Sequence, residues 1–196
     1  FAAALEKAKK AGETPIILGN SDKWPATHVF GLIQGAFTPA SETKDLITGK
    51  AGSSFISSTN ETALNTMRDW ITKGYFTKGF DGVSADDATA KFAAGNGLFY
   101  MGGTWFGGTI GEGLGEDAGF IANPPGASGK HAGTGSYGLG WHISSKTDAL
   151  AASVAFVAMI MDPAFAPSIA SLDRIPSANA TLEASSALLK DMQDAG

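Results

Sequence analysis

The chain has 196 residues, 43% of them hydrophobic and 17% charged, with a formal net charge of -5 and a pI near 5.1. This composition is typical of a soluble globular protein with room for one large domain or two small lobes, and no apolar run approaches the roughly 18 residues of a membrane span. The lack of cysteine excludes disulfides, thiolate metal sites and cysteine nucleophiles, and the acidic charge balance predicts no nucleic-acid partner.

The first elements alternate between helix and strand. Apolar residues at helical spacing predict a first helix that ends at Gly12, where a left-handed conformation is available. The apolar run at residues 16–18 predicts a buried strand. Pro25 suits the first turn of a second helix that runs to about Gln34, so the segment NSDKWP between them is a strand-to-helix loop.

Two further helices are predicted from capping signals. Ser58 is followed three residues later by Glu61, and Ser84 is followed three residues later by Asp87. This spacing is typical of a helix start, because the serine hydroxyl caps a free backbone N–H of the first turn. The second of these helices stops at Gly95, and LFYMGG then predicts another strand.

The second half of the chain continues the alternation. AGFIANPPG predicts a short strand that ends at Pro124, and GLGWHIS predicts another. TDALAASVAFVAMIMD predicts a long apolar helix that Pro163 terminates, and a last amphipathic segment runs from about Leu182 to Met192. The pattern as a whole indicates an α/β fold.

The segment GTGSYG, residues 133–138, matches the dinucleotide-binding spacing G-x-G-x-x-G. A true dinucleotide turn follows a strand and opens a helix, whereas this segment follows a loop and precedes a strand-like stretch. We therefore predict no nucleotide cofactor. The glycines instead allow close approach of bare backbone either to another segment or to a ligand, to which Tyr137 would add a stacking face.

Catalytic and metal-binding patterns are absent from the sequence. The three histidines, His28, His131 and His142, lack paired metal-ligand spacing, and each is interpreted as structural. The chain contains no G-x-S-x-G nucleophile elbow. Its 19 carboxylates cannot be paired at glycosidase distances from sequence alone, so a glycosidase stays open without positive support.

Two tryptophans are candidate ligand contacts. Trp24 and Trp105 each follow a predicted strand, in loops that commonly present binding residues, whereas Trp70 lies on the apolar stripe of a predicted helix and is assigned to the core. An indole face suits the apolar C–H face of a sugar ring, and the neighbouring Asp22 and Thr104 can hydrogen-bond sugar hydroxyls. Plain packing is the alternative for both loop tryptophans.

The order of five segments carries a family resemblance. The segments are AKKAGETPIILGNSDKWP, AAGNGLFYMGGTW, GFIANPPG, GLGWHISSKT followed by an alanine-rich helix, and DRIPS. Together they resemble a family 1 extracellular solute-binding protein of a bacterial ABC sugar transporter, over nearly the whole chain. Each segment is variable in this family, so the resemblance depends on their order and spacing.

The resemblance implies a periplasmic-binding-protein-like α/β fold of type II, in which two lobes close on ligand around hinge crossings. Residues 1–131 would belong to the second, C-terminal lobe. Residues 132–176 would form a hinge crossing, near 133–138, and part of the first lobe. Residues 177–196 would form the return crossing, which begins near 175–177, and the start of a second-lobe helix.

The function implied by the resemblance is that of a receptor which captures a sugar or oligosaccharide between the lobes and delivers it to a membrane permease. Such a protein performs no covalent chemistry, needs no cofactor, and is expected as a monomer outside the cytoplasm, either periplasmic or lipid-anchored. Trp105 matches the aromatic that stacks on sugar in this family, and Trp24 with Asp22 matches a cleft loop. The predicted ligand-binding residues are Asp22, Trp24, Thr104, Trp105, Gly135, Tyr137 and Arg174.

The sequence departs from the family in its extent. It begins in mid-helix at Phe1, without the signal peptide and long first-lobe segment that the family normally has, and it lacks the final second-lobe helix. We therefore expect a fragment in which half of the cleft is missing. The alternatives are a carbohydrate-active enzyme, a binding protein for a non-sugar solute, and a purely structural domain.

Overall fold

The computed structural model of the chain describes residues 1–122, 124, 126, 129, 141–162, 164–165, 168 and 186–194. Within these residues helix is far more extensive than strand. The elements in chain order are α1 (Ala2–Lys10), β1 (Ile16–Ile17), α2 (Pro25–Phe37), α3 (Ala40–Ile47), α4 (Ser58–Thr72), α5 (Ala85–Ala93), β2 (Phe99–Tyr100), α6 (Gly107–Leu114), α7 (Leu150–Ile160) and α8 (Ala187–Asp194). The described residues thus form a helix-rich α/β fold.

A short parallel sheet runs through the core. β1 pairs with β2 so that Ile16 lies opposite Phe99 and Ile17 lies opposite Tyr100. Ile16 also forms a parallel bridge with Phe76, which extends the pairing to a third segment. β1 is therefore the middle of three extended segments, and its backbone hydrogen bonds are satisfied on both sides.

The core surrounds β1 and confirms the buried strand that the apolar run predicts. Ile16 and Leu18 are at most 2% exposed, and the side chains of α1, α2 and α4 pack against them. The buried members of this cluster are Leu5, Ile16, Leu18, Val29, Ile33, Ala63, Tyr75 and Phe76. Trp70 is half-buried against the same cluster, as predicted. A second, smaller cluster joins α6 to α8 through Ile110 and Leu188.

The predicted boundaries of α1, α2 and α5 are largely confirmed. Gly12 has a φ of 86° just after α1, and Pro25 is the first residue of α2, which runs three residues beyond its predicted end. Ser84 lies at the N-cap of α5, and its hydroxyl accepts a hydrogen bond from the Asp87 N–H at 3.0 Å. Gly95 follows α5 with a φ of 84°.

The predicted start of α4 is wrong by one residue. The N-cap is Ser57, whose hydroxyl accepts a hydrogen bond from the Asn60 N–H at 3.3 Å, and Ser58 is already the first helical residue. Ser57 has an extended backbone, which turns its hydroxyl back toward the first turn. The observed N-cap therefore lies one residue before the predicted Ser58, and Glu61 does not have the predicted spacing from it.

The strands predicted in the second half of the chain are wrong where the structure describes them. Residues 118–122 and 124 of AGFIANPPG form no strand, and neither do residues 141–144 of GLGWHIS. An apolar run forms a strand only where another segment pairs with its backbone, and no described residue pairs with the backbone of these segments. The segment LFYMGG contributes only the two residues of β2.

Two helices were not predicted, and two others were predicted in part. α3 has no buried residue, and four of the eight residues of α6, GGTIGEGL, are glycine, which has a low helix propensity. The predicted apolar helix is α7, and the last amphipathic segment, predicted for residues 182–192, overlaps α8. Pro163 and residues 182–185 lie outside the described residues, as do the predicted hinge crossings at 133–138 and 175–177.

No helix in the part of the chain that the structure describes combines the length and the apolarity needed to cross a membrane. α7, with 11 residues, is apolar on every face, and Leu150, Phe156 and Met159 on it are exposed.

Ile16→Ala tests the dependence of the fold on β1. The change removes a fully buried side chain from the central segment, so we expect the free energy of unfolding in urea to fall by about 2–5 kcal/mol. Ile56→Ala is the matched control, because Ile56 is 92% exposed and its truncation should cost less than about 0.5 kcal/mol. Equal losses for the two variants would contradict the described core.

Candidate functional site

The parallel pairing of β1 and β2 brings two loops to one edge of the sheet. Parallel strands have their carboxyl ends on the same side, and in open α/β sheets this edge is where ligand-binding loops lie. β1 leads through residues 18–24 into α2, whereas β2 leads through residues 101–103 into a single 3-10 turn, Thr104–Phe106, and then into α6. Trp24 ends the first loop and Trp105 lies in the 3-10 turn.

The loop after β1 is anchored by Asn20. Its backbone N–H donates a hydrogen bond to the Phe80 carbonyl at 2.8 Å, and its side-chain amide N–H donates to Asp81 Oδ1 at 3.1 Å. Its side-chain oxygen accepts a hydrogen bond from the Ala26 N–H at 3.0 Å in the first turn of α2. The Asn20 side chain therefore joins the loop to the 3-10 turn Phe80–Gly82 and to α2, which follows the loop.

The backbone of this loop has two unusual positions. Lys23 has a φ of 69°, a left-handed conformation that is costly for a residue with a side chain. Its N–H donates to the Asn20 carbonyl at 3.1 Å, which closes a tight turn just before Trp24. Gly19 lies so close to the Ser84 carbonyl that a Cβ at Gly19 would overlap it. The loop is thus held in one defined conformation.

In the second loop, the indole ring of Trp105 packs closely against the backbone of Gly103. The indole ring of Trp105 lies against Gly103, and a Cβ at Gly103 would overlap the ring. The Phe106 N–H donates to the Gly103 carbonyl at 3.2 Å and closes the 3-10 turn. The absence of a side chain at Gly103 therefore allows Trp105 to fold back toward Trp24.

Four rings from the two loops and from the start of α2 form one surface, here called the aromatic wall and defined by Trp24, His28, Trp105 and Phe106. The centroids of Trp24 and Trp105 are 5.9 Å apart, and Trp24 is stacked on Phe106 at 6.4 Å with an interplanar angle of 12°. His28, one helical turn after Trp24, lies 5.3 Å from Trp24 and 5.6 Å from Trp105. The two indoles remain 36% and 48% exposed, so the wall faces solvent.

Tyr100 of β2 packs against Phe106, one of the rings of the wall. Its ring meets Phe106 edge to face at 5.7 Å, and its hydroxyl forms a hydrogen bond with the hydroxyl of the buried Thr89 at 2.8 Å. Burial raises the pKa of the Tyr100 phenol above its ordinary value, and the hydrogen bond with Thr89 offsets part of this rise.

The polar residues predicted beside the tryptophans have different positions. Asp22 is exposed, but its Oδ2 accepts a hydrogen bond from the Ala85 N–H at 2.8 Å, so one of its oxygens caps α5. Thr104 is exposed directly before Trp105. The structure thus brings Trp24 and Trp105 together and leaves Asp22 and Thr104 on the same two loops. The remaining predicted site residues, Gly135, Tyr137 and Arg174, lie outside the described residues.

Sequence reasoning missed two members of the wall. His28 was interpreted as structural, although its spacing of four residues from Trp24 on a predicted helix indicates a shared face. Phe106 directly follows Trp105, and no pattern distinguished it from a core residue. Within the ranges described, no three histidine or carboxylate side chains are grouped so that they could hold a metal ion. The chemistry that the wall offers is ring stacking with hydrogen bonding at its margins.

Several solved structures are similar to the chain. A chitin oligosaccharide binding protein matches 100% of this chain and 51% of its own, with a TM-score of 0.74 and 20% identity. The apo form of RafE from Streptococcus pneumoniae matches 97% of this chain and 50% of its own, with a TM-score of 0.67 and 19% identity. A structure from work on xylan utilization by the thermophilic bacterium Caldanaerobius polysaccharolyticus matches 67% of this chain and 34% of its own. Its TM-score is 0.55 and its sequence identity is 27%.

These matches are a likeness of fold at low sequence identity. No protein-family model matches the chain, and no curated protein matches it. The chain spans about half of the length of the chitin oligosaccharide binding protein and of RafE, and about a third of the length of the third structure. The helix-rich α/β architecture of the described residues is therefore shared with part of a larger fold.

Gly103→Ala tests how Trp105 is positioned. The added Cβ would overlap the indole ring, so we expect Trp105 to move away from Trp24 and acrylamide quenching of tryptophan fluorescence to change. The backbone at Gly103 (φ -81°, ψ 155°) suits alanine, so the fold should persist. Gly82→Ala is the control, because a Cβ there meets no atom within 4 Å. Identical quenching in wild type and both variants would contradict the described ring position.

Tyr100→Phe tests the burial of the phenol behind the wall. The folded protein keeps Tyr100 protonated at a pH where the unfolded chain, with a tyrosine pKa of about 10, loses the proton. The free energy of unfolding should therefore fall as the pH rises above this value, and the fall should be less steep in Tyr100→Phe. Urea unfolding at a series of alkaline pH values measures both slopes, and equal slopes would mean that the phenol is not buried.

Proposed function

We propose that the chain is part of a receptor that binds a sugar or oligosaccharide on the aromatic wall and performs no covalent chemistry on it. The observation that carries the proposal is the exposure of two indoles from separate loops whose centroids are only 5.9 Å apart. A partner with an apolar face can cover exposed aromatic rings that are grouped in this way, and removing their apolar surface from water is favourable.

The physical match to a sugar has two parts. The C–H groups on one face of a pyranose ring are apolar and pack on an indole, which removes apolar surface from water. The hydroxyls at the rim of the ring need hydrogen-bond partners, which Thr104 and the Asp22 carboxylate supply beside the wall. Trp24 and Trp105 thus provide the stacking faces, and the polar groups orient the ring.

The comparisons support this choice of ligand class. The structure with the highest of the three TM-scores is described as a chitin oligosaccharide binding protein, and it matches every part of this chain. A further similar structure comes from work on the use of xylan, which is also a polysaccharide. A protein with this fold and an exposed aromatic wall is therefore best interpreted as a carbohydrate-binding protein.

The proposal extends to transport. The complete protein is a two-lobed receptor outside the cytoplasm, acting as a monomer that delivers its sugar to the permease of an ABC importer. In this arrangement residues 1–131 belong to one lobe, 132–176 cross a hinge into the other, and 177–196 return. The wall then forms one side of the cleft between the lobes, and a second lobe closes over the bound sugar.

Trp105→Ala tests the sugar-binding proposal. Loss of the stacking face should raise the Kd for the preferred oligosaccharide by roughly tenfold, which is about 1.4 kcal/mol. Chitin and xylan oligosaccharides and a panel of monosaccharides are titrated into wild type and variant, and tryptophan fluorescence and saturation-transfer NMR report weak binding. Trp141→Ala is the matched control, because Trp141 is a 60% exposed tryptophan that contacts Phe156 instead of the wall.

Three outcomes would contradict the proposal in different ways. Absence of saturable binding to every sugar would move the ligand to another class, such as peptides or polyols. Binding that Trp105→Ala and Trp141→Ala reduce equally would place the ligand away from the wall. Shortened oligosaccharides in the chromatogram of an incubated sample would assign an enzyme in place of a receptor.

A further inference from the structure

His28 contacts both indoles of the aromatic wall. It is on α2, one helical turn after Trp24, and its ring centroid is 5.3 Å from that of Trp24 and 5.6 Å from that of Trp105. Its side chain is only half-buried. The imidazole is thus packed against both exposed indoles, beside any ligand that stacks on them.

The orientation of the imidazole differs from that of the stacked rings. Its plane makes an angle of 89° with the plane of Trp24 and 70° with the plane of Trp105. The hydrogen-bonding directions of an imidazole lie in its own ring plane. That plane crosses both indole planes steeply, so the imidazole is stacked on neither indole.

The hydrogen-bonding capacity of His28 is unused within the described part of the chain. No described residue forms a hydrogen bond with either imidazole nitrogen, and no nearby carboxylate forms an ion pair with it there. In its neutral form the ring has one donor and one acceptor nitrogen. A sugar hydroxyl also donates and accepts, so it can pair with whichever of the two nitrogens faces it.

The other members of the wall do not offer the same chemistry. The indoles of Trp24 and Trp105 can donate but not accept, and Phe106 does neither. The Asp22 carboxylate accepts only, and one of its oxygens is already bonded to the Ala85 N–H. His28 is the member of the wall that can both accept and donate, and its fixed ring selects the position of the hydroxyl it meets.

We propose that His28 is a specificity-determining residue that hydrogen-bonds a hydroxyl of the sugar ring stacked on Trp24 and Trp105. This inference rests on the proposed function. A site built to hydrogen-bond a hydroxyl discriminates strongly against an analogue that lacks it, because the site's polar group is then left unpaired. His28 therefore determines which sugar is accepted, whereas the indoles determine that a sugar is accepted.

Two substitutions separate hydrogen bonding from packing. His28→Phe keeps an aromatic ring between the indoles and removes both nitrogens, whereas His28→Gln restores a donor and an acceptor without the ring. The probes are a chitin tetrasaccharide and a xylan tetrasaccharide. For the better-binding probe we expect His28→Phe to raise the Kd by roughly tenfold and His28→Gln to recover most of the lost affinity. Near-ultraviolet circular dichroism monitors whether the tryptophans keep their packing.

A specificity readout and a matched control complete the test. Removal of the hydroxyl that His28 contacts, by use of monodeoxy derivatives of the better probe, should weaken wild type and leave His28→Phe almost unaffected. His142→Phe is the matched control, because His142 is an exposed histidine outside the wall. Its affinity for both probes should equal that of wild type.

The possible failures are distinguishable. If wild type binds a probe, Trp105→Ala weakens that binding and His28→Phe does not, the proposed function survives and the role of His28 is overturned. If His28→Phe binds normally and His28→Gln does not, His28 acts by packing alone, which also overturns it. If wild type binds neither probe nor any other sugar, both proposals fail together.

Discussion

The parallel pairing of β1 with β2 is the constraint on which the candidate site depends. Ile16 lies between two extended segments and is fully buried, so the register of the sheet is specified by the core. Parallel strands direct the loops after them to the same edge. Trp24 and Trp105, which are far apart in sequence, meet because the loops that carry them leave adjacent strands at that edge.

Rigidity of the two loops is the second requirement for an exposed aromatic surface. Free indoles in solvent would collapse onto neighbouring apolar groups, and ordering them only on binding would cost affinity. Here Asn20 anchors the first loop with backbone and side-chain hydrogen bonds. The left-handed turn at Lys23 directly precedes Trp24. The close approach of Trp105 to Gly103 fixes the other indole. The wall is therefore preorganised before any ligand arrives.

The division of roles within the wall follows from the chemistry of its rings. In the proposed sugar site, the indoles supply apolar area that is favourable to cover but distinguish poorly between sugars. The imidazole beside them is proposed to add direction, since a misplaced hydroxyl would leave it unpaired. His28 can do this because α2 places it one turn after Trp24, so the helix that begins at Pro25 sets both the stacking face and the polar group.

The sequence by itself determined the elements whose signals are local. The buried run at 16–18, the start of α2 at Pro25 and the cap at Ser84 act within a few residues, and they also place Trp24 and Trp105 just after strands. Only the tertiary structure decided that the two indoles meet, that His28 and Phe106 join them, and that residues 118–122 form no strand. These outcomes depend on which segments pair across the sheet, and a pairing partner leaves no mark in the residues of one segment.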